Sequence, residues 1–424
     1  MSSFEYFLMH KDKKLAVFSL DIIGFNISVS GFVLNKYCLD YLPLPIKLVL
    51  HCNNRYFEYQ SKNTITINEN GCLLFENWLN NRTVPADRIE FERYFNKSKN
   101  SLAMTLEMNA VSFTDDYWVK LVSSDLDWNT IKLYGNKRTD RFEVIEQKRR
   151  HNKNYSKINF TLGGRLEKYW FIKDKSVMLA KRTSLANEIL NIREVISSKI
   201  FEKQGIVSSA RYSYIYNRDY RIVGCKCNIL SNEANEIVTA YDLLSEFGLN
   251  VIGRNSISDL VYCLRNYNAP EFVINSLFIM FLVDYLVTNR DRHLGNIAFL
   301  RDSEHLNIVN IAIFDNGGSE RLEEELPEGS LNTTVNGIED TEYKILCNLP
   351  RYCFNMLNLA LLPTNQWVKN QIDKAENLSN SRKEFLYNLY KEKKKVLRGL
   401  QKSNKSVSEY FSSLTDFKNI LRGY

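Results

Sequence analysis

Three side chains that could handle a proton and a metal ion lie close together in the second half of the chain. Asp291 and Asn296 are separated by four residues, and Asp315 ends a strand-like stretch at 308–314. A carboxylate can accept the proton of an attacking hydroxyl, and carboxylate and amide oxygens suit Mg²⁺. Phosphoryl transfer needs both a proton acceptor and a metal ion that is held against the nucleotide phosphates. The spacing therefore predicts a phosphotransfer site, with Asp291 as the base and with Asn296 and Asp315 as metal ligands.

Each of these pieces has a plainer interpretation when it is taken alone. The interval from Asp291 to Asn296 is common by chance, and an aspartate followed by Asn-Gly, as at Asp315, is more often a turn than a metal site. His293 alone would be a structural or exposed histidine. The combination favours a site, because a long apolar helix, a polar loop and a strand ending in aspartate occur in the order that the mechanism needs.

Two segments that contain these residues resemble the catalytic core of the HipA-like serine/threonine kinases: TNRDRHLGN at 288–296 and IAIFDNGG at 311–318. The family pattern is an N-x-D-R-H-x-x-N loop with a later P-x-[FY]-D metal site, and it is distantly similar to that of phosphatidylinositol kinases. The resemblance implies an α+β, two-lobed protein-kinase-like (HipA-like) fold with a mixed α/β N-terminal accessory domain. It also implies that Arg290, Arg292 and His293 shape the loop or balance its charge.

The resemblance implies an activity and partners as well as a fold. HipA-like kinases use ATP and Mg²⁺ to phosphorylate a Ser or Thr hydroxyl of a protein, and they can act in toxin–antitoxin pairs. We therefore expect a protein substrate and consider an antitoxin-type partner. The alternatives are a lipid or small-molecule kinase with the same core, a non-catalytic nucleotide-binding toxin or regulator component, and a DNA-associated regulator. The presence of Asp291, Asn296 and Asp315 argues against a non-catalytic protein.

A hairpin pattern upstream predicts where the nucleotide phosphates are held. Two short apolar strands occupy 169–182, and Lys181 lies near the end of the returning strand. Gly163 and Gly164 precede the hairpin, where a glycine-containing loop could lie over the phosphates. The Gly-Gly signal is weak alone, and a surface lysine is the plainer interpretation of Lys181. The region has no G-x-x-x-x-G-K-[ST] sequence, which disfavours a P-loop enzyme.

The next segment supplies a partner for the lysine. Apolar residues recur at helical spacing over 186–204, and Gly205 follows, so the pattern predicts a helix that carries Glu194. In kinases a strand lysine binds the α- and β-phosphates and is itself positioned by a helix glutamate. Lys181 and Glu194 are therefore the candidate ion pair. The sequence REVISSKIFEKQGI, at 193–206, also resembles this kinase branch.

Two further strands, at 212–216 and 221–230, are followed by a polar turn. This exit resembles the hinge between kinase lobes, where backbone groups meet adenine. Asn228, Ile229 and Leu230 are the candidate adenine-binding residues.

The chain divides into four parts by composition and by resemblance: an accessory domain at 1–145, a linker at 146–160, an N-lobe at 161–232 and a helical C-lobe at 233–424. The linker begins with a polar, basic stretch that lacks aromatic residues, which makes direct nucleic-acid binding unlikely. The sequences FENWLNNRTVPADR and YWVKLVSSDLDW resemble the N-terminal region of the same kinase branch. Within the accessory domain, short apolar runs predict strands at 14–20 and 47–50, and helices are predicted at 73–79 and 86–95.

Composition sets the broad class of the protein. The chain has 424 residues, 44% of them hydrophobic and 25% charged, which is ordinary for a globular protein of several domains. A net charge of +7 is modest for this length and does not indicate a nucleic-acid-binding protein. The eight cysteines lack zinc-ligand spacing and indicate free thiols in a reducing cytoplasm. The N-terminus shows no secretion signal, and the longest apolar stretch, 277–283, is too short to span a membrane.

Overall fold

The fold is α+β, as predicted, with antiparallel sheets in the first three-quarters of the chain and mainly helices after them. The computed structural model describes residues 2–23, 26–82, 101–134, 168–173, 176–184, 187–249, 256–318 and 341–413. In these residues the strands form three sheets, and all pairings between named strands are antiparallel. The strands are β1 (Ser2–His10), β2 (Lys13–Ile23), β3 (Asn26–Asn35), β4 (Phe57–Gln60), β5 (Thr64–Ile67), β6 (Tyr117–Leu121), β7 (Lys168–Lys173), β8 (Ser176–Arg182), β9 (Ser213–Tyr216), β10 (Ile222–Asn228), β11 (Asn235–Thr239), β12 (Ala298–Asp302) and β13 (Ile308–Ala312).

The helices cover the sheets and fill the last part of the chain. The α-helices are α1 (Leu44–His51), α2 (Asn53–Tyr56), α3 (Glu69–Asn80), α4 (Ser101–Glu107), α5 (Trp128–Ile131), α6 (Glu188–Lys203), α7 (Ala240–Glu246), α8 (Ile257–Asn266), α9 (Glu271–Val287), α10 (Glu342–Asn348), α11 (Asn365–Ile372), α12 (Asn380–Lys402) and α13 (Val407–Ser412). None of these helices is long and apolar enough to cross a membrane. All eight cysteines lie in the described part, and none forms a disulfide.

The N-terminal region is a six-stranded sheet in the order β4-β5-β3-β2-β1-β6, packed against helices α1 and α3 around its own hydrophobic core. The strand predicted at 14–20 and the helix predicted at 73–79 are confirmed by β2 and α3. The strand predicted at 47–50 is wrong, because these residues belong to α1. A short apolar run cannot separate strand from helix, and prolines at 43 and 45 favour a helix start there. The helix predicted at 86–95 and the linker at 146–160 lie outside the described residues.

The second sheet, in the order β7-β8-β10-β9, carries the predicted hairpin and packs against α6. Its register places Lys168 directly opposite Lys181. Gly224 on β10 faces the backbone of Lys181, and a Cβ atom at Gly224 would lie 2.2 Å from the Lys181 carbonyl oxygen. Glycine is therefore needed where β10 approaches β8 this closely. The predicted helix is confirmed by α6, and the two further strands by β9 and β10.

The third sheet, β11-β12-β13, lies beside the helices that form the largest hydrophobic core. Helix α9 crosses this core and is buried on nearly all sides, as its continuous apolar sequence predicts. The 3₁₀ turn Leu294–Asn296 and strand β12 follow it, and β13 then leads to Asp315. Helix α9 and β13 are therefore the rigid elements that hold the two halves of the predicted site.

Candidate active site

A buried ion pair joins the second sheet to helix α6. The Lys181 ammonium on β8 lies 2.5 Å from Glu194 Oε1, and both side chains are almost completely buried. The same ammonium donates to Asp315 Oδ1 at 2.8 Å. The structure thus brings together three residues that the sequence assigned separately to phosphate binding and to metal binding.

A second ammonium group, that of Lys168, contacts the Asp315 carboxylate. Lys168 Nζ lies 3.4 Å from Asp315 Oδ2, because the β7–β8 register sets the two lysines side by side on one face of the hairpin. From the sequence, Lys168 is an alternative to Lys181 as the phosphate-binding lysine, beside Lys173 and Lys175. The pairing of Lys173 with Ser176 sets the register that brings Lys168 into the site together with Lys181.

The backbone around Asp315 is shaped for close approach. Asp315 has a φ of 55°, in the left-handed region that few non-glycine residues adopt. Two residues later, a Cβ atom at Gly317 would lie 2.6 Å from the Leu190 carbonyl oxygen of α6. The Asn316 amide N–H also donates to Glu194 Oε2 at 2.7 Å. The turn after β13 is therefore fixed directly against the helix that carries Glu194.

The charges in this cluster depend on one another. Burial alone would lower the pKa of Lys181, but the carboxylates of Asp315 and Glu194 raise it well above its ordinary value. Burial alone would raise the pKa of Asp315, but the ammonium groups of Lys168 and Lys181 hold it far below its ordinary value. Burial raises the pKa of Glu194, against the pull of Lys181. Asp315 is therefore a carboxylate at neutral pH, and Lys181 is an ammonium.

Arg292 ties the loop after α9 to the turn that holds Asp315. Its guanidinium group is buried and forms a fork with both carboxylate oxygens of Asp284 on α9, at 2.7 and 2.8 Å. It also donates to the carbonyl oxygens of Asn296, at 2.7 Å, and Phe314, at 2.8 Å. A fifth bond, of 2.6 Å, reaches Asn316 Oδ1. One side chain therefore fixes the spacing between the loop and the residues on either side of Asp315.

The electrostatics of Arg292 match this role. Burial would lower the pKa of its guanidinium, but the Asp284 carboxylate raises it above its ordinary value. The sequence resemblance implies that Arg292 shapes the loop or balances its charge, and it does not identify Asp284 as the partner of Arg292. An acidic residue inside the apolar run of α9 was the available signal, because a buried carboxylate needs a partner.

The other predicted loop residues differ in exposure. Asp291 is partly exposed, its N–H donates to Asn289 Oδ1 at 3.2 Å, and its carbonyl accepts from Asn296 Nδ2 at 3.0 Å. Asn296 Nδ2 donates this hydrogen bond, and the amide oxygen Oδ1 is the Asn296 side-chain atom that can bind a cation. His293 is exposed, and its Nδ1 accepts from the Gly295 N–H at 3.1 Å, so it caps the turn. Arg290 is buried.

The predicted hinge is partly occupied by bonds within the protein. The Ile229 N–H donates to the Val177 carbonyl at 3.3 Å, and the Ile229 carbonyl accepts from Asn228 Nδ2 at 3.0 Å. Asn228 Oδ1 accepts from the Arg211 N–H at 2.9 Å. Leu230 is therefore the most suitable of the three candidates for contact with adenine. Gly163 and Gly164 lie outside the described residues, so their predicted contact with phosphate stays a prediction.

The donor set fits a magnesium nucleotide. Asp315 and Asn296 offer hard oxygen atoms, and Mg²⁺ in nucleotide sites takes few protein ligands because the phosphates complete its shell. Lys181 and Lys168 offer ammonium groups at the same place, and these suit phosphate oxygens. The Asp315 carboxylate and the two ammonium groups therefore bring oxygen donors suited to a cation and nitrogen donors suited to phosphate oxygens to one place.

These elements can be compared with those that the sequence resemblance implies. A four-stranded antiparallel sheet supplies a lysine paired with a helix glutamate, and a buried helix leads into a polar loop and a strand that ends in aspartate. This arrangement agrees with the kinase-like fold that the motifs predict.

No protein-family model and no curated protein matches the chain. Among solved structures it is similar to the proinflammatory kinase CtkA of Helicobacter pylori, with 20% identity over 57% of this chain and 92% of that chain, and a TM-score of 0.43. It is also similar to HipA of Shewanella oneidensis MR-1, solved with HipB and operator DNA, with 13% identity over 97% of this chain and 100% of that chain, and a TM-score of 0.49.

Proposed function

We propose that the protein is an ATP- and Mg²⁺-dependent kinase that transfers the γ-phosphoryl group to a Ser or Thr hydroxyl of a protein. The observation that carries this proposal is the buried cluster of Lys181, Glu194 and Asp315, joined through Arg292 to the loop that holds Asp291 and Asn296. Buried charges are costly to a fold unless they are paired, and clusters of this kind concentrate at functional sites.

Each residue has one part in the proposed mechanism. Asp291 accepts the proton of the attacking hydroxyl, and its partial exposure leaves room for an acceptor to approach. Asn296 and Asp315 hold Mg²⁺, which neutralises charge on the phosphates during transfer. Lys181 binds phosphate oxygens and is kept in place by Glu194.

Lys168 is an addition to this mechanism. Its ammonium contacts Oδ2 of Asp315, whereas the Lys181 ammonium contacts Oδ1, so we assign Lys168 to the phosphates as well. The two lysines place two positive charges beside one metal ligand, and this favours a polyanion such as the triphosphate of ATP.

The phosphate acceptor, the protein partner and the cellular location are also proposed, and they rest on the sequence. A protein acceptor and an antitoxin-type partner follow from the sequence resemblance to HipA-like kinases, and a cytoplasmic location follows from the eight free cysteines. The described residues offer no observation that favours a lipid, small-molecule or DNA-bound role, so these stay as outcomes of the test.

The test is a phosphotransfer assay with purified protein and ATP labelled in the γ-phosphate. Parallel reactions contain a cell extract, phosphatidylinositol vesicles or small alcohols, each with Mg²⁺ or with a chelator. The proposal predicts Mg²⁺-dependent label in phosphoserine or phosphothreonine, on the protein itself or on an extract protein. Label in lipid or small molecules alone would overturn the proposed acceptor. A protein that neither binds ATP nor transfers label would overturn the kinase assignment.

A further inference from the structure

A lysine on the long helix α12 contacts Thr288, the residue after α9 at which the loop that carries Asp291 begins. Lys393 on α12 has no exposed surface, and its Nζ donates to Thr288 Oγ1 at 3.0 Å. It also contacts both oxygens of Glu342, the first residue of α10, at 2.7 and 2.8 Å. One ammonium group therefore joins the end of α9, the start of α10 and the middle of α12.

Stability alone is a poor explanation for this contact. Burial lowers the pKa of Lys393, and Glu342 only opposes that effect. A buried ion pair can commonly be replaced by apolar side chains of similar size without loss of stability. In some proteins a buried polar pair fixes a specific geometry instead, and the geometry beside Lys393 is that of the loop that carries Asp291.

The backbone of Thr288 supports this interpretation. Thr288 ends α9 in the left-handed conformation, with φ 60° and ψ 47°, and the following N–H, that of Asn289, donates back to the Asp284 carbonyl at 2.9 Å. Glycine is the usual residue at this point of a helix end, and a β-branched residue is the least suited to it. The backbone of Thr288 is therefore strained. Glycine would relieve this strain but has no hydroxyl group to accept the hydrogen bond from Lys393.

The position of Thr288 governs the residues of the proposed active site. It lies three residues before Asp291, and Asn289, next in the chain, holds the Asp291 N–H through its side chain. Asp284, one turn earlier on α9, holds Arg292. A shift of Thr288 would therefore move the proposed base relative to the metal ligands.

We propose that Lys393 is a positioning residue of the phosphotransfer reaction. Through Thr288 it sets the backbone of the catalytic loop, and through Glu342 it links the loop to the helix that follows residues 319–340. This inference rests on the proposed kinase function, and it assigns a part to a segment about a hundred residues from Asp291. Lys393 acts through Thr288 and touches no reacting atom.

The first test separates backbone strain from positioning. Thr288→Gly removes the hydroxyl but relieves the left-handed conformation, so the effects on stability oppose each other and the midpoint of thermal unfolding should stay within about a few degrees of the wild type. Its kcat should fall by about tenfold or more, because small displacements of a catalytic group are costly, while the Kd for ATP stays within about twofold. Thr288→Ser keeps the hydroxyl and should restore kcat. The control is Asn268→Gly, at an exposed residue that is also left-handed, with φ 51°.

The second test removes the ammonium without leaving a lone buried carboxylate. The double variant Lys393→Met with Glu342→Leu should unfold at a temperature close to that of the wild type and should lose kcat by the same factor as Thr288→Gly. Adding Thr288→Gly to it should cause no further loss, since both changes break one contact. Lys395→Met, at an exposed lysine of the same helix, is the control and should change nothing.

Hydrogen exchange gives a readout that does not depend on activity. The Asn289 and Asp291 amides should exchange faster in Thr288→Gly and in the double variant, and at the wild-type rate in Thr288→Ser. If Thr288→Gly has the same kcat and the same amide exchange rates as the wild type, the positioning role of Lys393 is overturned, and the kinase assignment is unaffected. A wild type that transfers no phosphate would defeat the proposed function, and the exchange result would still decide whether Lys393 orders the loop.

Discussion

At the scale of single residues, Asp315 is the proposed metal ligand whose surroundings are the most distinctive. Its backbone is left-handed, its carboxylate is ionised by two ammonium groups, and its neighbours are held by Arg292. The spacing of Asp291, Asn296 and Asp315 made this prediction possible from sequence alone. The contact between Lys168 and Asp315 does not follow from spacing along the chain, because a cross-strand pair depends on the register of the hairpin.

Asp315→Ala is expected to abolish most Mg²⁺-dependent turnover. Loss of the carboxylate removes a metal ligand, and a single electrostatic contribution of this kind is commonly worth about 10²-fold or more in rate. Steady-state phosphotransfer measured against Mg²⁺ concentration checks it, with circular dichroism to show that the variant is folded. The change also leaves Lys168 and Lys181 without their shared carboxylate, so a lower unfolding temperature is expected. Turnover equal to that of the wild type would remove Asp315 from the site.

At the scale of elements, the site depends on three close approaches: β10 against β8, the turn after β13 against α6, and the loop against α9. The hairpin, α6 and α9 were predictable because their apolar periodicity is strong. The helix α1 was not, since a short apolar run fits both a strand and a helix. The ion pair of Arg292 with Asp284 could not be predicted from the sequence. A single acidic residue in an apolar run indicates a buried partner but does not show which loop supplies it.

Gly224→Ala is expected to weaken ATP use without touching any ligand. A Cβ atom would meet the Lys181 carbonyl oxygen at 2.2 Å, so β10 and β8 must separate and Lys181 must move relative to Glu194. We expect a loss of stability of about 1–3 kcal/mol, as for other overpacked sites, together with a higher KM for ATP. Chemical denaturation and steady-state kinetics measure the two effects.

The matched control is Gly31→Ala on β3, where the nearest atom to a Cβ would be Ser19 Oγ at 3.6 Å, an ordinary contact. This variant should keep the wild-type KM. Equal KM values for the Gly224 and Gly31 variants would contradict the claim that the strand approach positions Lys181.

At the scale of the whole molecule, the N-terminal sheet is joined to the third sheet by buried polar groups. His10 Nε2 lies 2.7 Å from Glu236 Oε1 of β11, and Arg301 of β12 binds Glu236 Oε2 at 2.7 Å and the Tyr117 hydroxyl at 2.9 Å. Asp116 lies beside them, and its N–H donates to Glu236 Oε1 at 3.0 Å. Such contacts, between residues 65 to 226 positions apart, leave no periodic signal in the sequence and could not have been predicted.

This junction should make stability depend on pH. Burial, together with the nearby Glu236 carboxylate, raises the pKa of Asp116 from 3.8 to about 7. Between these values the folded chain binds a proton that the unfolded chain does not, so the contribution of Asp116 to the free energy of unfolding falls as pH rises from about 4 to about 7. Asp116→Asn should flatten this part of the profile. Urea unfolding at a series of pH values decides the matter, and an identical slope in the variant would contradict the assignment.

The central claim is that Asp291 is the base of a phosphotransfer reaction, and Asp291→Asn tests it most directly. The amide keeps the shape of the side chain, and in the proposed mechanism Lys181, Asn296 and Asp315 hold ATP with Mg²⁺, so calorimetry should give a Kd for ATP close to that of the wild type. Transfer should fall by about 10² to 10⁴-fold, because an amide cannot accept the proton. A variant that binds and transfers normally would contradict the role of Asp291, and a wild type that binds no nucleotide would contradict the whole account.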